Sequence, residues 1–292
     1  MGLPARPDPA VNRGYSESAM VMYVAADGET AFTLRFCRFP DDGVTWLWCH
    51  VLDGHRLFGF TDHDLPCDGA RAFDGPAAAY ATVAPAASIQ RSGLDGAMTQ
   101  ARFSAGLLMA EHAMGRHGPG DTRVSLHGVF TPRYSLGEAV AEGRREVVGD
   151  LVGEIVLGGR RLRLDGLAKY HEQRQDTPRF TEPFRYLCLW GPTASCVAIA
   201  SRAGQIGAAM LDGAESVVTR FVAPPIADAR AVDLGLRDGT GLRADVRTLK
   251  AISLPIGAET WRGSFVTARL GGHEVTGMLN EWQADRLPPP AS

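Results

Sequence analysis

The sequence predicts an all-β protein built from antiparallel sheets in a barrel or sandwich arrangement. Two Gly-Gly pairs, Gly158-Gly159 and Gly271-Gly272, lie between strand-like runs. Both read as two-residue hairpin turns, whose central positions need positive φ. Beyond residue 150, short strand-length runs recur at regular spacing, with further turn signals at Ala203-Gly204, Asp212-Gly213 and Asp238-Gly239. No G-x-G-x-x-G leads from a strand into a helix and no Walker A sequence occurs, so the nucleotide fingerprints of α/β folds are missing.

Taken in order, the start is Pro-rich and lacks the apolar h-region of a secretory signal, so residues 1–14 read as a disordered tail. Ala31 to Phe39 alternates, with Phe32, Leu34 and Phe36 on one face. Val44 to Leu52 is apolar on both faces: Val44, Trp46, Trp48, His50 and Leu52 share one, while Leu47, Cys49 and Val51 load the other. Such a strand is covered on both sides, or one face lines an enclosed cavity. Asp53-Gly54-His55 turns the chain into a return strand, Arg56 to Thr61. From Asp68 to Gly96 the chain is rich in Ala, Gly and Pro and shows weak periodicity. Met98 to Met114 fits a short helix through Phe103, Leu107, Met109 and Met114, or two broken strands. Val124 to Tyr134 reads as a strand, and the small, polar stretch Ser135 to Arg145 as a domain boundary, giving domains at 15–142 and 143–287. Strands are then expected at Leu151–Leu157, Arg160–Ala168, Phe184–Trp190, Cys196–Ser201, Ile206–Leu211, Val217–Val222, Ala231–Arg237, Leu242–Leu249, Ser264–Leu270 and His273–Leu279.

At 292 residues the chain exceeds the usual size of one domain, which favours two. The formal charge of −3, with only isolated basic pairs at Arg144-Arg145 and Arg160-Arg161, argues against nucleic acid. No apolar run approaches the ~18 residues of a membrane-spanning helix, and a cytoplasmic location is expected. The five cysteines form no C-x-x-C pair and read as reduced thiols. The sequence leaves the oligomeric state open, a homodimer included.

The densest run of reactive side chains is Lys169-Tyr170-His171-Glu172-Gln173-Arg174-Gln175-Asp176. On a strand, Tyr170, Glu172 and Arg174 project to one face, with His171, Gln173 and Gln175 on the other. If the strand lines a cavity, Glu172 or His171 suits acid/base work near neutral pH, with Tyr170 or Arg174 holding substrate or tuning the acid. The plain alternative is a polar strand end whose charges pair at a rim. Thr61-Asp62-His63-Asp64 offers an oriented imidazole or a set of metal ligands, or is simply a polar turn. Glu281, near the end of the last strand, is either a site carboxylate or an edge charge. No G-x-S-x-G elbow and no H-E-x-x-H pair occurs, so neither a serine nucleophile nor a metal or cofactor is expected.

Several of these segments resemble one known family. Gly143-Arg144, Glu146, Gly149, Gly153-Glu154, the Gly158-Gly159 turn and Leu164-Asp165-Gly166 are similar to a hairpin of the lipocalin-like superfamily that includes hydroxyneurosporene synthase (carotenoid hydratase) and the AttH-like proteins. Trp261 to Phe265, Gly277 to Glu281, Trp46 to His50 and Phe60 to Asp64 resemble other strands of that superfamily. Where the family shows Asp-His-x-Trp, this chain has His171-Glu172-Gln173-Arg174, so acid and imidazole exchange faces. The resemblance implies two consecutive lipocalin-like β domains with an apolar ligand at or between their cavities. It further implies a cofactor-independent lyase or isomerase, of hydratase, dehydratase or cyclase type, acting on an isoprenoid- or polyketide-like skeleton. A buried acid would protonate an alkene or a leaving hydroxyl, and aromatic faces would stabilise the cation. Trp46, Trp48, Trp190 and Trp261 are the expected lining, with His50, His63 and Glu281 beside them. The alternative is a carrier that holds a hydrophobic ligand without chemistry.

Overall fold

The computed structural model describes residues 14–71, 80–84, 86–94, 97–111, 120–137 and 143–287; of the tail expected at 1–14, residues 1–13 lie outside them, as do 112–114 at the end of the stretch expected as a helix or two broken strands. The described residues form two antiparallel sheets joined by residues 176–183. The first holds β1 (Ser16–Val24), β2 (Thr30–Phe39), β3 (Val44–Asp53), β4 (Arg56–Pro66), β5 (Tyr80–Ala84), β6 (Ala87–Leu94), β7 (Ala97–Glu111), β8 (Thr122–Ser135), β9 (Arg144–Leu157) and β10 (Arg160–Gln175). The second holds β11 (Phe184–Trp190), β12 (Ala194–Ser201), β13 (Gly204–Leu211), β14 (Ala214–Val222), β15 (Ala229–Leu236), β16 (Gly241–Ile256), β17 (Glu259–Leu270) and β18 (His273–Trp282).

The second sheet is a closed barrel in sequence order, sealed by pairing of β11 with β18. The first runs β4-β3-β2-β1-β10-β9-β8-β7-β6-β5 and comes round on itself where β4 also meets β7, at Phe58↔Glu111 and Gly59↔Ala110. An ion pair, Arg56 Nη2 to Glu111 Oε2 at 2.6 Å, clasps that seam. Both Gly-Gly turns form as expected. Gly158 and Gly159 have φ of 55° and 92°, Gly271 and Gly272 of 56° and 95°.

The strand pairing departs from the expected partition at residue 143. The β9–β10 hairpin belongs to the first sheet, β10 on β1 (Met20↔His171) and β9 on β8 (Leu126↔Ile155), so the change of sheet falls between Gln175 and Phe184. The small, polar stretch before β9 is a connection within the first sheet. Met98 to Glu111 lies in one continuous strand, neither a helix nor two broken strands. Met98, Ala101, Phe103, Ala105, Leu107 and Met109 are buried, with exposed residues between them from Ala101 onward. Alanines at alternate inward positions hide the period of two.

Three apolar layers result. One fills the first sheet around Phe32, Leu34, Phe36 and Tyr170, and another fills the second barrel around Leu187, Leu189 and Leu279. The third lies between the outer faces of the two sheets, where Trp46, Trp48 and Met22 meet Tyr186, Trp190, Trp261 and Phe265. This explains the doubly apolar β3. Leu47, Cys49 and Val51 point into the first sheet, and the two indoles point at the second barrel.

Candidate functional site

A cavity of about 350 Å³ opens within the middle layer. The first sheet contributes Arg35, Arg144, His171 and Gln173, and the second barrel Tyr186, Ile199, Trp261 and Asn280. The 176–183 connection passes over it, supplying Arg179 and Phe180. Phe180 sits at φ 59°, a left-handed backbone for a bulky residue. Its ring packs 6.0 Å from both Trp46 and Trp48 and 5.3 Å edge-on from Trp282.

Alternation along β10 sends Lys169, His171 and Gln173 towards the second barrel, and register brings β9 partners opposite: Val148↔Lys169, Glu146↔His171, Arg144↔Gln173. The buried Glu146 carboxylate is the hub. It ion-pairs with Lys169 Nζ, accepts from Arg144 Nε at 2.5 Å and lies 3.1 Å from His171 Nδ1, the last contact imperfectly aligned for a hydrogen bond. From the other barrel, Tyr186 Oη donates to it across 3.3 Å and accepts from Lys169 Nζ at 2.5 Å. Carboxylate, ammonium, imidazole and phenol are thus all nine-tenths or more buried within one polar cluster.

Burial would raise the Glu146 carboxyl, but Arg144, Lys169 and His171 overcome it and hold it well below the usual carboxylate range. Burial pushes the His171 imidazole down to about 3, against the pull of Glu146, so it is neutral at physiological pH. Burial, with Cys188 and Glu146 beside it, keeps the Tyr186 phenol protonated, well above its ordinary range. The cluster therefore presents to the cavity a neutral base, His171, and a neutral acid, Tyr186.

The structure divides the sequence-predicted residues. His171 lines the cavity, and Trp261 lines it beside Trp48 at 5.6 Å. Trp46 and Trp48 stand behind Phe180 with His63, whose Nε2 accepts from Trp48 Nε1 at 2.7 Å. Tyr170 and Glu172 face the opposite way, into the first sheet. There the Tyr170 hydroxyl donates to Glu172 Oε1 at 2.7 Å and Arg91 Nε lies 3.2 Å from the same oxygen. Arg174 is exposed at the strand end, its N–H on the carbonyl of Gly143. His50 is buried in β3, 3.4 Å from Thr33 Oγ1. Trp190 donates to the carbonyl of Leu167 and borders a separate cavity with Tyr23 and Arg133. Glu281 points into the second barrel, paired with Arg185 at 3.2 Å. Among the described residues no group of His, Cys, Asp and Glu is arranged to hold a metal, and no helix is long and apolar enough to cross a membrane.

Glu146, Lys169, Tyr186, Arg35 and Arg179 received no site role from the sequence, although Lys169 opens the reactive run and Glu146 stands in the hairpin that carries the resemblance. A signal for Glu146 existed: pairing Leu157 with Arg160 across the Gly158-Gly159 turn fixes Glu146 opposite His171 by counting.

No protein-family model matches the sequence, and comparison with curated proteins yields no match. Solved structures do share the fold. CghA superposes over 92% of this chain and 88% of its own with TM-score 0.59 at 13% identity. A putative AttH from Nitrosomonas europaea covers 92% of both chains at TM-score 0.60 and 14% identity. Kievitone hydratase from Nectria haematococca covers 94% of this chain and 90% of its own at TM-score 0.59 and 12% identity. These likenesses show that the all-β architecture of two antiparallel sheets is shared with CghA, the putative AttH and kievitone hydratase, at the level of fold.

Proposed function

We propose that this chain is a cofactor-independent lyase of the hydratase or dehydratase type, acting in the cavity between its two barrels. One observation carries the reading: a single buried carboxylate, Glu146, contacts both a cavity-lining neutral imidazole and a cavity-lining phenol. That a protein of the same fold is named a hydratase supports it.

In the dehydration direction, neutral His171 takes a proton from the carbon adjacent to the one that bears the leaving hydroxyl, and the Tyr186 hydroxyl turns from Glu146 to give its proton to that hydroxyl as water departs. Glu146 stabilises the imidazolium, and Lys169, on the phenolic oxygen, stabilises the phenolate. Passing the proton from His171 to Tyr186 restores both groups, and hydration is the reverse. Glu146 and Lys169 are positioning residues; His171 and Tyr186 are the catalytic pair. The cation-forming route expected from the aromatic lining fits less well. Arg35 covers the Trp48 face at 4.7 Å, and Arg144 and Arg179 also reach the cavity, so positive charge developing there is opposed. The substrate this suits is an isoprenoid- or polyketide-like skeleton bearing a hydroxyl beside an acidic C–H.

The test is a panel of β-hydroxy ketones of that kind, followed through the absorbance of the enone product. His171→Gln and Tyr186→Phe should each lower turnover by about 10²–10⁴ while leaving ligand binding near wild type. Turnover that survives both substitutions refutes the pair. Binding without turnover by the wild-type chain supports the carrier instead.

A further inference from the structure

We propose that the cavity between the barrels receives a ligand with an oxyanion head of the carboxylate type, seated on Arg35 and Arg179, and an apolar body. The inference rests on reading this cavity as the substrate site and narrows the class of molecule that enters it.

Arg35 occupies mid-strand in β2, where alternation points it away from the first sheet's core and into the cavity. Its Nε is buried without a hydrogen-bond partner, and among the described residues no carboxylate pairs with it. Arg179 is 5% exposed and among the described residues has neutral hydrogen-bond partners only: the Ser16 hydroxyl at 2.8 Å, and the side chain and carbonyl of Gln173 at 3.5 and 3.3 Å. A third guanidinium, Arg144, reaches the same Gln173 side chain at 3.3 Å. The buried carboxylate at hand, Glu146, is already shared by Arg144, Lys169 and His171. Glu182, which also borders the cavity, is an exposed rim residue nearest Arg202 at 3.8 Å.

A cation held out of water without a counter-charge is costly, and the cost falls when a bound anion supplies the charge. Burial, with Arg179 and Arg144 close by, pulls the Arg35 guanidinium down to about 10. A planar oxyanion matches the fork of guanidinium donors, whereas a hydrocarbon head leaves them unpaired. Opposite them, Phe180, Trp261 and Ile199 supply an apolar wall for the rest of the molecule.

Two probes that differ in charge but little in shape, cinnamate and cinnamyl alcohol, test this by calorimetric titration of the full chain at neutral pH. Cinnamate should bind about tenfold or more tightly, the margin of a charge-assisted pair over a neutral one. Arg35→Gln, which retains donors but loses charge, should bring the two affinities together, Arg35→Lys should keep part of the preference, and surface Arg56→Gln should keep all of it. Equal affinities for the wild-type chain, no binding of cinnamate, or a preference that persists in both Arg35→Gln and Arg179→Gln overturns the proposal. The wild-type comparison stands even if a variant does not fold. Carboxylate preference without turnover of any substrate retains the anion seat and removes the lyase. Turnover that depends on His171 and Tyr186, with equal probe affinities, does the reverse.

Discussion

His171 and Glu146 are directly opposed cross-strand neighbours, imidazole Nδ1 lying 3.1 Å from carboxylate Oε1 on the face of the first sheet that meets the second barrel. The pair places a base beside its stabilising charge with no loop involved, so its geometry is as rigid as the β9–β10 ladder.

Glu146→Gln should be among the most damaging single changes in the protein. It leaves Lys169, wholly buried, and Arg144 without their shared counter-charge. Removing one partner of a buried ion pair costs about 3–5 kcal/mol. Chemical denaturation should record that loss, and Glu146→Gln combined with Lys169→Met should recover most of it. A loss in the double variant equal to the sum of the single losses would show that the two charges do not interact.

The protein should lose stability in mild acid, with His171 as a named contributor. Its pKa is about 3 when folded, against roughly 6.5 when unfolded. Between those values the unfolded chain binds the extra proton, so stability falls as pH is lowered through the window and is fully retained above it. One such group gives a slope of about 1.4 kcal/mol per pH unit. Above pH ~4.5, the ordinary carboxylate value, the low Glu146 pKa adds little, and the effect belongs to His171. Urea unfolding across mildly acidic buffers should therefore show a shallower slope for His171→Gln than for wild type. Parallel slopes would refute the assignment.

Much of this arrangement was legible in the sequence, and the residues show where legibility stops. Local rules sufficed for the hairpins: Gly158-Gly159 and Gly271-Gly272 need positive φ, and the strands between turns fall where alternation puts them. Alternation also separated His171 from Tyr170 and Glu172. It could not say which face holds the cavity, because that depends on β10 pairing with β1, from the far end of the chain. Nor could it say that the second barrel would cover the outer face of β3. Tyr186 reads in sequence as one aromatic in an apolar strand, and only docking of the barrels brings its hydroxyl to Lys169. Arg35 reads only as a residue on the other face from Phe32, Leu34 and Phe36, for the same reason.

Phe180 should reverse the usual order of alanine and glycine. At φ 59° a side chain bearing Cβ is strained by about 1–2 kcal/mol, and glycine is not. Phe180→Ala gives up the ring contacts to Trp46, Trp48 and Trp282 and keeps the strain, whereas Phe180→Gly gives up the same contacts and releases it. Both variants should be less stable than wild type, with the glycine form the more stable of the two by about 1 kcal/mol. Thermal unfolding measures the order directly, and an alanine variant that melts higher would mean that the 176–183 connection relaxes to another backbone.

Glu172 is adjacent to His171 in sequence but acts on the other side of the sheet. Its carboxylate is buried, accepts the Tyr170 hydroxyl at 2.7 Å and faces Arg91 at 3.2 Å and Arg145 at 3.9 Å. Glu172→Gln retains the shape and an acceptor for Tyr170 but removes the charge that Arg91, itself buried, sits against. Loss of a charged hydrogen-bond partner in such a place costs about 1–3 kcal/mol. The variant should melt lower than wild type and still turn over substrate within about twofold of it, since the ~10²–10⁴ of acid/base catalysis is assigned to groups on the opposite face. Tyr186→Phe should also melt lower, by a similar margin, because it takes a partner from buried Lys169, but it should lose most of the rate. Measuring kcat and Tm for the two variants side by side therefore separates the faces of one strand. A large fall in kcat for folded Glu172→Gln would return the chemistry to the interior of the first sheet.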